Sequence, residues 1–395
     1  MVTANETQDM QENTDTAEFS LLGGPLHRLG VRAGLVRGGT NTIPLGLALG
    51  GFLWIVLLAL ALIGGVAPRL FSFTVIGGHV RLLVVIPLFF ICEAWVDPMM
   101  TRFVSGIVRK RIVPESALPA LSAEIARAAR WKDSWITEAM CLLAAIAFSL
   151  SARLIPLPGA SASHDPYHAG SGLTLAGFWY GIICLTLFRF LLFRWLWRLC
   201  YWPYFLWRIS KLELHLVPTN PDGVAGIGLL EVVHTCFSPL IMAISALESA
   251  SFAEEFSVGG MTFEAMYPSV VLVLAVDAVV FAGPLFLFTP RLWVCRIKGL
   301  GDYGGLASRY VDSFDIKWIR SADAGEPLLG TPDIQSLADL SNSVNVVRNM
   351  RLAPVSAKLW VHIIIAALLP MLPLMLLKYP IAELAEKFIT RISGM

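Results

Sequence analysis

The sequence has 395 residues, of which 56% are hydrophobic and only 15% charged, and its formal net charge is +1. An ordinary soluble domain carries about 25% charged residues, and a near-neutral chain lacks the basic excess that nucleic-acid binding requires. The composition, with a mean hydropathy of +0.67, therefore predicts an all-α, polytopic transmembrane bundle and excludes nucleic acid as the expected partner.

The first stretch, residues 1–42, begins MVTANETQDMQENTDTAEF, which is polar and acidic. It lacks the basic start and apolar core of a cleaved secretory signal. We therefore expect 1–42 to be a disordered cytoplasmic tail. The chain has 6 cysteines but no CxxC pair, so we expect neither a disulfide framework nor a cysteine zinc site.

Seven stretches hold the roughly 20 predominantly apolar residues that cross a hydrocarbon core. They run 43–66, 76–96, 135–153, 173–195, 227–249, 267–289 and 357–378. Paired as 43–97, 135–195 and 227–289, with 357–378 alone, they leave connections at 98–134, 196–226 and 290–356 and a tail at 379–395.

The charges of these connections predict the orientation. The segment 1–42 and the connections 98–134, 196–226 and 290–356 hold 21 Lys and Arg residues, whereas the opposite side holds 3. The positive-inside rule then predicts about seven spans, with the N-terminus in the cytoplasm and 379–395 in the periplasm. A bacterial inner membrane is the expected location, and membrane lipids are the expected surroundings.

Two connections are too long for simple turns, and 98–134 and 290–356 are predicted to form amphipathic cytoplasmic helices. In the second, apolar residues recur every three or four positions, as on one helix face. They are Leu306, Tyr310, Phe314 and Trp318, followed by Ile334, Leu337, Leu340, Val344 and Val347. Thr331, Pro332 and Asp333 are a typical helix start. Such helices pack under their own bundle or contact a partner protein.

Polar residues inside the spans are the candidate ion-pathway residues, because a charge in the membrane costs at least about 2.5–3.5 kcal/mol. The candidates are Asp277, Glu231, His234, Glu93, Asp97, Arg189 and His362. Glu231 and His234 share a helix face at i and i+3, which leaves open a proton or cation site, a metal site or a structural pair. Glu93 and Asp97 share a face at i and i+4, where a shared proton is one possibility.

Arg189 is expected to pair with Asp277 or Glu93, and Pro284 is expected to kink its helix and free backbone carbonyls near a cavity. An outer loop, SHDPYHAG, brings His164, Asp165 and His168 close in sequence. Loop histidines are usually exposed and idle, so we expect no metal there.

A second group of candidates lies at the predicted cytoplasmic boundary, where anions or lipid headgroups would bind. The turn VPTNPDGVAGIGLLE offers Asp222 as a helix cap and glycines whose N–H groups could hold an anion. An aromatic and basic stretch just before it resembles a membrane-interface anchor. These candidates are Asp222, Gly223, Gly226, Gly228, Arg194, Arg198 and Arg208.

Four segments, LHLVPTNPDGVAGIGLLE, GDYGGLASRYVDSFDIKWI, DIQSLADLSNSVNVVRNMRL and LLPMLPLMLL, resemble a family of uncharacterised bacterial integral membrane proteins. The first motif there usually reads His-Pro-Asp followed by Gly-Gly-Leu-Gly. This chain has Asn220 in place of the His, and its glycines are interrupted at 224–227. The resemblance implies a fold and a topology but no activity.

Two functions fit the sequence. The first is an ion channel or transporter for protons or small cations, formed as a homo-oligomer. The alternative is a non-transporting assembly or signalling protein that acts through its cytoplasmic helices on a protein partner. No complete catalytic set or cofactor motif is present, so we expect neither enzymatic activity nor a cofactor.

Overall fold

The computed structural model describes residues 19–154, 168–169, 172–320 and 330–378. This part of the chain is helical apart from two short paired strands, β1 (His168–Ala169) and β2 (Gly172–Leu173). Six helices are long and apolar enough to cross a membrane, and a seventh span is formed if two helices that meet at 50° are counted together. The prediction of an all-α polytopic bundle is confirmed.

The helices follow one another in this order: α1 (Gly24–Arg32), α2 (Ile43–Ile63), α3 (Phe73–Arg109), α4 (Glu115–Asp133), α5 (Trp135–Leu154), α6 (Leu175–Lys211), α7 (Leu229–Ser257), α8 (Phe263–Arg320), α9 (Pro332–Arg348) and α10 (Ala357–Met375). The spans are α2, α3, α6, α7, α8 and α10, and the bent pair is α4 with α5.

Helices α3 and α7 are the most buried of the spans. Helix α2 packs against α3 through glycines, since a side chain at Gly50 would collide with the carbonyl oxygen of Leu82 and one at Gly46 with the ring of Phe90. Without a hydrophobic driving force in lipid, small residues of this kind let membrane helices approach closely. The outer face of α2 keeps residues such as Phe52 and Ile55 exposed, as a lipid-facing helix requires.

Several spans continue well past their predicted boundaries. Helices α3 and α6 each have 37 residues and α8 has 58, whereas about 20 residues cross the hydrocarbon core. Pro98 and Pro203 lie inside these helices and do not end them. The connections therefore begin as helical extensions of the spans.

The N-terminal segment departs from the prediction. A disordered tail over 1–42 is wrong from Phe19 onward, because residues 19–23, here called the strap, enter the bundle, and α1 follows them. Phe19 is fully buried and its ring stacks on Phe205 with centroids 4.1 Å apart. The acidic residues before Phe19 dilute this short apolar segment in any hydropathy window. Residues 1–18 lie outside the described part.

The amphipathic helices predicted in the long connections are present. Helix α9 has Thr331 as its N-cap residue and Pro332 in its first turn, as predicted. It packs beside the last part of α8 to form a helical hairpin, residues 300–320 and 330–346. At its base Arg296 donates a hydrogen bond of 2.7 Å to the carbonyl of Arg348. The strap and the hairpin both lie at the end of the bundle that the charges place in the cytoplasm, here called the inner end.

Candidate functional site

A buried charged cluster lies beside the strap, where α3, α5 and α6 meet. Arg194 donates a hydrogen bond of 2.8 Å to Oε1 of Glu93, and Arg198 binds the same oxygen. Arg194 also lies 3.4 Å from Oε1 of Glu138. Both arginines are more than nine-tenths buried, and Glu93 and Glu138 together compensate their charge.

Asp97, one turn further along α3, binds the strap instead of sharing a proton with Glu93. Its Oδ1 accepts the backbone N–H groups of Leu21 at 2.7 Å and Leu22 at 3.0 Å, and both of its oxygens accept the Ser20 hydroxyl. Arg194 donates to the carbonyl of Gly23 at 3.3 Å. The shared face of Glu93 and Asp97 is real, but each carboxylate has its own partners, so the possibility of a shared proton is not realised.

A cavity of about 20 Å³ lies between the strap and the charged cluster, which is room for about one water molecule. Glu93, Asp97 and Arg198 line it together with apolar side chains. The second oxygen of Glu93, Oε2, is buried and has no hydrogen-bond partner in the described chain. A single water is the ligand that this space fits.

The aromatic and basic surroundings of Arg194 and Arg198 predicted that they bind lipid headgroups. That prediction is wrong, because both side chains are buried in the charged cluster. Their position on the inward face of α6 explains the error, because the same stretch of sequence carries both an inward and an outward face. Arg208, about three turns later, donates to Oε1 of Glu124 on α4 at 2.7 and 2.9 Å, so it ties two helices together.

His234 and Glu231 occupy one helix, but they point to different partners. The Nε2 atom of His234 accepts from the indole N–H of Trp202 at 3.2 Å, and Nδ1 donates to the carbonyl of Phe281. Both ring nitrogens are thereby used, which fixes a neutral imidazole. The carbonyl of Phe281 lies in the irregular stretch before Pro284, where the sequence predicted backbone carbonyls released from helical bonding. His234 occupies this one, so it does not face a cavity.

Glu231 binds Arg351 at 2.9 Å and the hydroxyl of Ser356. These contacts join the start of α7 to the segment before α10. Glu231 and His234 do not converge on one ion, and of the three possibilities open in the sequence, structural bonding is the one that the geometry supports. Arg351 carried no local sequence signal, because its partner is 120 positions away.

The N–H groups of the glycine-rich turn bind the carboxylate of Asp222, which belongs to the same turn. Asp222 Oδ1 accepts the N–H groups of Val224 at 2.9 Å and Gly226 at 3.0 Å, and Oδ2 accepts that of Gly228 at 2.9 Å. Gly223 and Gly226 have φ of +68° and +104°, which glycine adopts at little cost. The predicted capping role of Asp222 is wrong, because α7 has Gly228 as its N-cap residue and no side chain caps its first turn. The predicted external anion site is wrong too, because the Asp222 carboxylate already accepts the N–H groups of the turn.

Two further candidates lie away from the charged cluster. His362 is exposed, and its Nδ1 bonds the carbonyl of Lys358 in the preceding turn. Arg189 donates to the hydroxyl of Ser149 at 2.7 Å and lies over the ring of Phe148. The expected pairing of Arg189 with Glu93 is wrong, since Arg194 and Arg198 occupy that carboxylate.

Asp277 differs from every other candidate. It is 2% exposed, yet its Oδ2 has no hydrogen-bond partner in the described chain. Glu248 on α7 lies within electrostatic range of it. Sequence analysis missed Glu248, because it lies close to the end of an apolar stretch and has no charged neighbour at helical spacing.

No family model, curated protein or solved structure matches this chain. The resemblance to an uncharacterised membrane family therefore stays a prediction. Within the described residues no group of three or more His, Cys, Asp or Glu side chains could hold a metal ion. His164 and Asp165 lie outside those residues, and the side chain of His168 is not described.

Proposed function

We propose that this membrane protein is a non-transporting assembly or signalling protein, whose hairpin pairs with the hairpin of a second copy. The observation that carries the proposal is that no residue of 300–320 or 330–346 is buried. Two helices that pack only on each other leave part of each apolar face exposed. An apolar face that is open to water is a typical interaction surface.

The predicted apolar faces of α8 and α9 do meet in the hairpin. Tyr310 donates to the carbonyl of Asp333 at 3.1 Å, and Trp318 donates to its carboxylate at 3.0 Å. These residues are nevertheless only partly buried, and Leu306, on the same face, is 45% exposed. A second hairpin laid against this face would complete a four-helix arrangement, in which each apolar face is covered.

The charge of the hairpin favours a second copy over a strongly charged partner. Residues 300–320 and 330–346 carry three basic and five acidic side chains. Their near balance imposes little repulsion between identical surfaces, and a net charge near zero promotes association. A symmetric dimer is also the commonest form of soluble homo-oligomer.

Four of the acids at or near the spans support this proposal over transport. A permeation path requires acids that converge on a hydrated space, whereas Glu93, Asp97, Glu231 and Asp222 are each bonded to separate protein groups. The protein is proposed to be non-enzymatic and to lie in a bacterial inner membrane with the hairpin in the cytoplasm.

The mass of the purified full-length chain in mild detergent tests the pairing. We expect a dimer at micromolar concentration, and Leu306→Glu should convert it to a monomer by placing a charge in the apolar face. Val258→Glu is the matched control, because Val258 is 44% exposed at the opposite end. A monomeric parent, or a dimer unchanged in Leu306→Glu, would overturn the proposal.

Transport is tested separately in liposomes that hold the purified protein. Under the proposal no selective flux of H⁺, Na⁺, K⁺ or Cl⁻ is expected above that of empty liposomes. Selective flux that disappears in Asp277→Asn but persists in Glu264→Gln would favour the channel function instead. Glu264 is an exposed acid at the start of α8 and serves as the control.

A further inference from the structure

Asp277 and Glu248 are two acids in the middle of the membrane with no basic partner near them. Asp277 is fourteen residues into α8 and Glu248 is nine residues before the end of α7, so they lie about 21 Å and about 14 Å from the outer turn at 1.5 Å per residue. Both depths fall inside a hydrocarbon core about 30 Å thick.

Within the described residues, no hydrogen bond or ion pair neutralises either carboxylate. Glu248 makes no hydrogen bond or ion pair there, and Oδ2 of Asp277 is buried without a partner. The helices packed against this part of α8 are α7 and α10. On α10 the charged or titratable side chains are Lys358 and His362, both exposed near its inner end.

The remaining acids of α7 are also accounted for. Glu254 accepts the N–H of Gly77 at 2.8 Å, nearer the outer turn. Glu231 binds Arg351 at the inner end. Glu255 lies beyond Glu254 toward the same turn. Asp277 therefore faces one other acid and no base.

The backbone beside Asp277 is irregular. A π-helical turn, Ala278–Ala282, follows it directly, and a 3₁₀ stretch, Gly283–Phe288, comes next. Single π-helical turns inside α-helices are frequent at functional sites. This turn presents Asp277 to the bundle interior, where the residue is 2% exposed.

We infer that Asp277 and Glu248 form a proton-binding carboxyl pair, in which one proton is held on Asp277 at neutral pH. Two ionised carboxylates in an apolar setting repel each other and lose their hydration, so one bound proton removes most of that cost. The proton supplies the donor that the pair otherwise lacks. This inference does not rest on the proposed function, since a proton can bind there without crossing the membrane.

Infrared spectroscopy of the full-length protein in lipid tests this inference, because a protonated carboxyl has a C=O stretch separate from that of a carboxylate. At pH 7 the parent should show this band, Asp277→Asn should lose it, and Glu264→Gln should keep it. In Glu248→Gln the band should disappear at a lower pH than in the parent, because the repelling charge is gone.

A band that is absent from the parent at pH 7, or that persists unchanged in Asp277→Asn, would overturn the inference. Loss of the parent's band on adding Na⁺ at fixed pH would overturn it too, in favour of a cation site. None of these readings requires the protein to transport or to dimerise.

Discussion

At the scale of single residues, the buried charges of this protein hold segments that are distant in sequence. Glu93 and Glu138 neutralise two arginines of α6, Asp97 binds the strap, and Glu231 binds Arg351. Removing one partner of such a group leaves the other buried and uncompensated, which costs more than the pair contributes.

Glu93→Gln is expected to lower the free energy of unfolding by about 3–5 kcal/mol, since Arg194 and Arg198 lose their counter-charge. Thermal unfolding of the purified protein in detergent measures this loss. Glu264→Gln removes an exposed acid and should leave the melting temperature unchanged. Equal melting temperatures for parent and Glu93→Gln would show that the two arginines are compensated elsewhere.

His27 lies on α1 beside the charged cluster. Its titration is expected to make the stability of the folded protein depend on pH. Burial lowers the pKa of His27, and its Nδ1 has no hydrogen-bond partner in the described chain. Above the pKa of an unfolded histidine, about 6.5, the ring is neutral in both states and its burial costs no folding free energy. As the pH falls below that pKa, the unfolded chain binds a proton that the folded chain does not, and the free energy of unfolding decreases.

We therefore expect the melting temperature of the parent to fall between pH 7.5 and pH 5 by more than that of His27→Gln, which cannot take up the proton. The difference between the two melting curves isolates His27 from the other titrating groups. Parallel pH dependence in the two proteins would contradict this assignment.

At the scale of elements, the strap is the part that the sequence hid most completely. Phe19, Leu21 and Leu22 are buried, but they follow an acidic stretch and are too few to give a periodic signal. The spans and the start of α9 were predictable, because twenty apolar residues and a Thr-Pro-Asp cap are local patterns. The partners of Glu93 and Asp97 were not, because they depend on which helices become neighbours.

Truncation tests the strap. Removing residues 1–23 should lower the melting temperature below that of the chain that lacks only residues 1–18. Each apolar side chain taken from a buried site costs about 1.5–3 kcal/mol, and Asp97 loses its hydrogen-bond donors as well. If both truncations melt alike, the strap adds nothing to stability.

At the scale of the whole molecule, the direction of α6 decides which end of the bundle each connection occupies. Arg81 contacts Tyr180 and Arg194 contacts Glu93, so α6 runs in the same direction as α3. Leu175 therefore lies at the end of the bundle opposite the hairpin, and the bent pair α4 and α5 crosses between the two ends as the seventh span.

Single cysteines at Leu175 and Asp312, both exposed, report these sides in a background whose own cysteines are replaced. In intact cells with a permeable outer membrane, an impermeant maleimide should label Leu175→Cys, and it should label Asp312→Cys only after lysis. The reverse pattern would place the hairpin outside and contradict the orientation predicted from the charges.

The length of α8 gives the molecule a mechanical property. Its regular stretch Thr289–Phe314 has Leu292 and Gly299 buried against its neighbours, and the part beyond Gly299 rises about 22 Å. A rotation of about 10° at Gly299 would carry the end of this part through about 4 Å, on the same rise per residue. We therefore expect that a rearrangement around Asp277 that turned α8 would move the apolar face of the hairpin outside the membrane.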